Sequence, residues 1–373
     1  MAAIRGDNTR MGYENSVAAD TYGTALDLTS YTDARICAEI NDNSSAEENE
    51  SNTIGCGGAS GFGTECTLGN FENRYALSHD LGYQTGFDRI LAQFFGTVDS
   101  VDLAGAVVAA GTELNPGEGD YRHRFTMNPM TNQRFGTFAY EGSDTTVFEL
   151  VSTYTERVQV SMESARDLVT WEADLVINDV IVDGVGLTND NADLRGLNFV
   201  DNETVQASTE HRFLLKQILD DGTDTVALDP TTDLFCIVDL ELELERDLEV
   251  LPEMCGGTGG EPIDQDRPVG TLTVSIREHE DNALAIAWRK NQKFSASWAW
   301  LGTQIGGGAF KEFSVGLPKL CLVTNPAYNI TEEGRNSVTL VFKVLDSAND
   351  IPGFDSRSPE INITNRRAGA YLS

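Results

Sequence analysis

The sequence predicts an α+β fold dominated by strands, and three observations carry the prediction. Apolar and polar residues alternate with period two in segment after segment. Two short stretches carry helical spacing instead, and each follows a candidate strand and precedes several more. The chain has 373 residues, which suits about two domains at roughly 150 residues each. One α+β unit used twice accounts for all three, although the halves are not alike residue by residue.

The clearest strand runs from Cys236 to Leu244. Cys236, Val238, Leu240, Leu242 and Leu244 would share one face, and Asp239, Glu241, Glu243 and Glu245 the other. A helix would scatter both sets. The same alternation appears in Val158, Val160, Met162; in Trp171, Ala173, Leu175, Ile177; and in Leu272, Val274, Ile276. It returns in Phe294, Ala296, Trp298, Trp300; in Phe313, Val315, Leu317; and in Val338, Leu340, Phe342, Val344. Such runs read as half-buried antiparallel strands.

The first helix is predicted from Thr85 to Phe95, capped by Thr85 and ended by Gly96, with Phe87, Ile90, Leu91, Phe94 and Phe95 on one face. The second is predicted from Asp281 to Lys290. Asp281 would cap it, Leu284 and Trp288 form one stripe, and Arg289 and Lys290 complement its carboxyl end. Between the units, Asn178 to Asp233 holds 12 Asp and Glu against Arg195, Arg212 and Lys216. A second polar run, Asn41 to Asn52, leads into the glycine-rich Gly55 to Gly63. Read alone, both polar segments are loops or linkers.

Charge narrows the function classes. The chain holds 59 Asp and Glu against 26 Lys and Arg, a net charge of −33. Gripping nucleic acid needs Lys and Arg to displace phosphate counterions, so that class is disfavoured, and anionic membranes with it. No stretch approaches the roughly 18 apolar residues of a membrane span. The bases are 20 Arg and 6 Lys; a saline habitat and a lineage preference for Arg both account for this. The six cysteines (Cys37, Cys56, Cys66, Cys236, Cys255, Cys321) match no disulfide framework. The first residues lack the apolar core of a secretion signal, so free buried thiols are the expectation.

Catalytic constellations are sparse. His79, His123, His211 and His279 are spread widely and form no His-Glu-x-x-His arrangement. Arg277 to Asp281 offers possible metal ligands but reads as a solvated turn. Gly55 to Gly61 lacks the preceding strand and the glycine spacing of a nucleophile elbow. Cys255 to Gly260 and Gly306 to Gly308 read as hairpin or loop glycines. Cys56 and Cys66 have no second Cys/His pair at zinc spacing. The acidic Asp220 to Asp224 lacks the spacing and terminal Glu of a calcium loop. No enzyme, cofactor or metal is expected.

The order of segments carries a resemblance. Tyr121-Arg122-His123-Arg124-Phe125-Thr126 leads to Arg134-Phe135-Gly136-Thr137-Phe138-Ala139-Tyr140, then to Val158 to Met162 and Trp171 to Leu175. Later come Leu272 to Ile276, the helix around Trp288, Phe313-Ser314-Val315-Gly316-Leu317-Pro318-Lys319-Leu320, and Ser337 to Phe342. Over roughly residues 60–180 and 234–346 this resembles the tail tube protein (major tail protein) of long-tailed viruses of bacteria or archaea.

The resemblance implies two β-sandwich or split-barrel domains, each flanked by a helix, whose inner sheets join into a continuous β-barrel ring. The chain then divides into an N-terminal arm and polar loop (1–60), a first tube domain (61–178), an acidic inter-domain loop (179–233), a second tube domain (234–346) and a C-terminal arm (347–373). It implies a virion structural protein, assembled in the host cytoplasm and resident in the tail. Its partners would be copies of itself in stacked rings and other tail proteins at the tube ends. A trimer with pseudo-sixfold symmetry fits two domains per chain; a hexamer with a decorating domain is the alternative. Viral DNA would pass through without specific binding.

The residues support that role physically. A bore that conducts DNA should repel phosphate, and fixed carboxylates do so over about 8–10 Å at physiological salt. Asp239, Glu241, Glu243 and Glu245 are the candidate lumen-facing row, with Arg157, Gln159, Ser161 and Glu163 as the counterpart from the first unit. The alternative for the row is an outer solvated face. The alternative function is a secreted or surface β-sandwich that binds glycan or calcium, for which Trp298 and Trp300 would supply an aromatic platform.

Overall fold

The computed structural model describes residues 10–16, 20–31, 34–50, 66–127, 134–143, 145–164, 167–182, 187–198, 203–207, 213–249, 261–264, 267–277, 283–326, 337–368 and 371. The protein is strand-rich and antiparallel. Strand β1 (Met11–Asn15) precedes β2 (Glu39–Asp42), β3 (Ser45–Glu50) and the long β4 (Cys66–Asp80). Helix α1 (Phe87–Phe95) follows, then β5 (Gly96–Val101), β6 (Val107–Val108), β7 (Tyr121–Met127), β8 (Gly136–Ser143), β9 (Thr146–Met162) and β10 (Thr170–Val182). A short helix α2 (Asn191–Gly196), β11 (Phe213–Ile218) and β12 (Leu234–Phe235) lead to β13 (Ile237–Glu245). The ribbon β14 (Leu248–Glu249) with β15 (Ile263–Asp264) precedes β16 (Val269–Arg277) and helix α3 (Ala283–Arg289). The chain ends with β17 (Lys293–Gly306), β18 (Ala309–Leu322), β19 (Ser337–Leu345) and β20 (Glu360–Asn365).

The pairing order repeats. In the first half β2 pairs β4, β4 pairs β10, β10 pairs β9 and β9 pairs β8. In the second, β13 pairs β16, β16 pairs β19, β19 pairs β18 and β18 pairs β17. In sequence, apart from β3 and β5–β7 in the first pass and the ribbon β14–β15 in the second, each pass runs strand, strand, helix, hairpin, strand. The strand–helix order of each pass is legible in the sequence, but the matching pairing order is visible only in space, because the residues of the two passes differ.

Two joints tie the passes together. The carboxyl half of β9 pairs antiparallel with β13, so one sheet runs unbroken from β2 to β19. Separately, β20 lies between β18 and β7 and carries the first-pass insertion β5–β7 onto the second-pass hairpin. Burial follows: Trp171, Phe87, Leu242, Leu272 and Trp300 belong to one continuous apolar core. Phe87 stacks on Trp171 with ring centroids 4.7 Å apart.

The alternating runs behave as read. Val158, Val160 and Met162, the Trp171 to Ile177 set, and Leu272, Val274 and Ile276 all point into the core. Two local expectations fail, and a third is untested. Thr85 does not cap α1: the N-cap is Gly86 at φ 103, and its N–H donates to the Asp88 side chain at 3.0 Å. A Cβ at Gly86 would lie 2.6 Å from Ile36 Cγ1, so both backbone conformation and space demand glycine. In β13, Ile237 is buried while Cys236 is exposed, because the register shifts between Ile237 and Asp239. One extra residue in a bulge moves the neighbours to the other face. The predicted Asp281 cap lies outside the described residues; α3 runs from Ala283 to Arg289.

The polar segments are not plain loops. Residues 39–42 and 45–50 form strands against β4, and the 179–233 stretch supplies the end of β10, α2 and β11. Its acidic part is held by its own carboxylates. Asp224 accepts from the N–H groups of Leu219 and Asp220, Asp221 from Thr223 and Asp229 from Thr231. Such side-chain turns satisfy backbone donors locally.

Candidate functional site

Strand β13 is flanked on both edges, by β9 and by β16. Its alternation therefore becomes two layers. Leu240, Leu242 and Leu244 are at most 4% exposed, whereas Glu241 and Glu245 are exposed and Asp239 and Glu243 half-buried on the opposite face. The paired backbone holds these carboxylates at two-residue steps of about 6.8 Å.

The neighbours extend that face as a polar one. Across β9, Glu241, Glu243 and Glu245 sit opposite Ser161, Gln159 and Arg157. The two rows read from the sequence are thus brought side by side, except Glu163, which lies beyond the paired stretch. Across β16, Asp239, Glu241 and Glu243 face Ser275, Thr273 and Thr271. One strand beyond β9, β10 adds Thr170, Glu172 and Asp174. Next, β4 adds Asp80, Ser78 and Ala76, and β2 adds Glu39 opposite Ser78. The period-two pattern of Trp171 to Ile177 already implied the placement of Glu172 and Asp174. Their joining to the β13 row depended on the β9–β13 pairing.

Arg157 lies within the acidic face, and it is held. Arg157 Nε donates to Asp174 at 2.6 Å, Nη2 to Glu172 at 3.3 Å, and Nη1 to Gln159 at 2.5 Å and Glu243 at 3.5 Å. Partial burial pulls its pKa down, but the hydrogen bonds and charges of Asp174 and Glu172, with the charge of Glu243, overcome this and hold it above the usual value. Three carboxylates around one guanidinium leave that spot net negative, and the planar donor fork is occupied. On β4, two residues from Ala76 on the same face, Arg74 pairs with Glu156.

The other candidates resolve as structure. His123 is 1% exposed; its Nε2–H donates to the Arg367 carbonyl at 2.8 Å, and burial pushes its pKa down to about 4. A neutral imidazole in the core is what remains. Trp298 and Trp300 are 3% and 1% exposed, so they form no platform for a sugar. Asp220 pairs with Lys319 at 2.5 Å and accepts from the Ser347 hydroxyl at 2.6 Å. Among the described residues no three His, Cys, Asp or Glu side chains converge on a metal position. Cys37, Cys236 and Cys321 are free thiols. Gly307 and Gly308 have φ of 53° and 100°, as a hairpin turn requires. His211, His279, Gly55 to Gly61 and Cys255 to Gly260 lie outside the described residues. No family model and no curated protein matches the sequence.

Proposed function

We propose that this protein is the structural subunit of a viral tail tube, and that the polar face centred on β13 lines the bore. Each pass of the chain is then one tube-type domain, and the two inner sheets, joined through β9 and β13, form one continuous arc of the wall. Three copies would close a ring with pseudo-sixfold symmetry, which removes open sheet edges. Rings would stack into the tube and meet other tail proteins at its ends.

The observation that carries this reading is the continuous face from β2 to β16, small, polar and acidic, backed by a single apolar core. A binding protein concentrates aromatic or convergent polar groups in a concavity. This face instead spreads Ser, Thr and carboxylates evenly and sequesters Arg157, which suits a wall that DNA must pass without being held. Screening limits the repulsion to about 8–10 Å, so it acts on a duplex confined within a narrow bore.

Electron microscopy of the purified protein tests the reading: stacked rings support it, and a protein that stays monomeric at high concentration in every salt condition overturns it. Replacing Glu241, Glu243 and Glu245 with Gln should leave tube assembly intact and slow genome ejection. Unchanged ejection would remove the row from the lumen.

A further inference from the structure

The joint made by β20 contains a second cluster of carboxylates, unrelated to the β13 face. Glu360 opens β20, opposite Gly316 on β18 and Thr126 on β7. Its side chain is 5% exposed, and Oε2 has no hydrogen-bond partner. It fits because position 316 is glycine: a Cβ there would lie 2.9 Å from Glu360 Cγ.

The surrounding charges are mostly paired with other groups, although Arg122 and Arg124 each keep a buried Nε–H without a hydrogen-bond partner. From β7, Arg124 reaches Asp355 at 3.0 Å and Asp99 of β5 at 3.7 Å, and donates to the Gly105 carbonyl at 3.0 Å. Arg122, also on β7, lies 3.8 Å from Glu312 of β18. Asp355, in the segment before β20, offers Glu360 a backbone N–H but also a second negative charge. A buried carboxyl with one unsatisfied oxygen, next to another carboxylate and to arginines whose terminal nitrogens pair with other carboxylates, is easier to seat neutral than ionised.

We propose that Glu360 is a proton-operated clasp: protonated, it seats β20 between β7 and β18; ionised, it loosens that strand and frees the β5–β7 insertion from the second-pass hairpin. Burial, with the charge of Asp355, pushes the Glu360 carboxyl up to about 7, against the opposing pull of Arg124 and Arg122. In the opened clasp the group is solvated and returns to the ordinary carboxylate range. The closed state therefore binds the extra proton between about pH 4.5 and 7, and closure weakens as pH rises through that window. Above it the loss is complete and constant. The clasp is a property of the folded chain and does not depend on the tube reading.

Hydrogen exchange of the full chain tests this directly. With rates corrected for intrinsic exchange, amides of β7 and β20 should lose about a hundredfold protection between pH 5 and pH 8. Amides of the β9–β13 joint in the same sample serve as reference. In Glu360→Gln, protection of β7 and β20 should stay at its low-pH level throughout. In Asp355→Asn, the loss should be smaller and end at lower pH, since one repelling charge is gone. Protection that is flat with pH in the unmodified chain, or a loss that persists unchanged in Glu360→Gln, overturns the proposal. Should Glu360→Gln not fold, the shift in Asp355→Asn decides: an unmoved transition also overturns it.

Discussion

Replacing Tyr371 with Phe removes one hydroxyl from a polar knot inside the core. Tyr371 is 3% exposed, and its hydroxyl donates to Asp88 Oδ2 at 2.6 Å while accepting from Asn365 Nδ2 at 2.9 Å. Asp88 is itself 2% exposed, and its other oxygen is engaged by the Gly86 N–H at the start of α1. Without the hydroxyl, a buried carboxylate loses a charge-assisted donor. Such a loss costs about 2–3 kcal/mol. Tyr371→Ala would also empty the space where the ring meets His123 and Phe125, at centroid distances of 4.9 and 5.3 Å, beneath the Arg367 guanidinium at 4.2 Å. Large-to-small aromatic changes in cores cost about 3–5 kcal/mol. Urea denaturation followed by tryptophan fluorescence reads both, with an unchanged slope showing that stability alone has moved. A double-mutant cycle with Asp88→Asn isolates the pair. If Tyr371→Phe shifts stability by less than about 0.5 kcal/mol, well below the cost of orphaning a buried carboxylate, then the C-terminal segment is not docked as described.

Two further outcomes follow from the described contacts. Asp174→Asn combined with Glu172→Gln should release the Arg157 guanidinium on the β13 face; fluorescence anisotropy with duplex DNA at low salt should then detect weak binding absent from the unmodified protein, fading steeply as salt rises. Glu203 accepts from the Thr303 backbone and hydroxyl and pairs with Lys311. Partial burial raises its pKa, but those bonds outweigh it and hold it below the usual carboxylate value. Its contribution to stability is therefore present above about pH 4.5 and lost as pH falls through the lowered value. Thermal melts between pH 6 and pH 3 should show a shallower acid loss in Glu203→Gln.

The strands were legible because a half-buried antiparallel strand must alternate. Leu240, Leu242 and Leu244 against Glu241, Glu243 and Glu245 declare their two faces without any knowledge of neighbours. Helix α1 was legible for a similar reason, down to Gly96, whose N–H bonds the Ala92 carbonyl from a left-handed conformation. Its start was not. Gly86 is required by the nearness of Ile36, fifty positions earlier, and no local signal reports that contact. The bulge at Ile237 escaped likewise, since a single inserted residue shifts phase without altering composition.

What the sequence by itself determined was the strand-rich class, the two strand–helix passes and the chemistry of each strand face, because periodicity and charge are local quantities. Which strands meet was decided only by the tertiary structure. The pairing of β9 with both β10 and β13 gathers Asp174, Glu172, Arg157 and Glu243 from three strands into one site. The insertion of β20 between β7 and β18 places Glu360 beside Asp355 and Arg124. Antiparallel pairing is satisfied by backbone groups that every residue but proline carries. Partner choice therefore rests on how the apolar faces pack across the whole core, and that is a property no single segment holds.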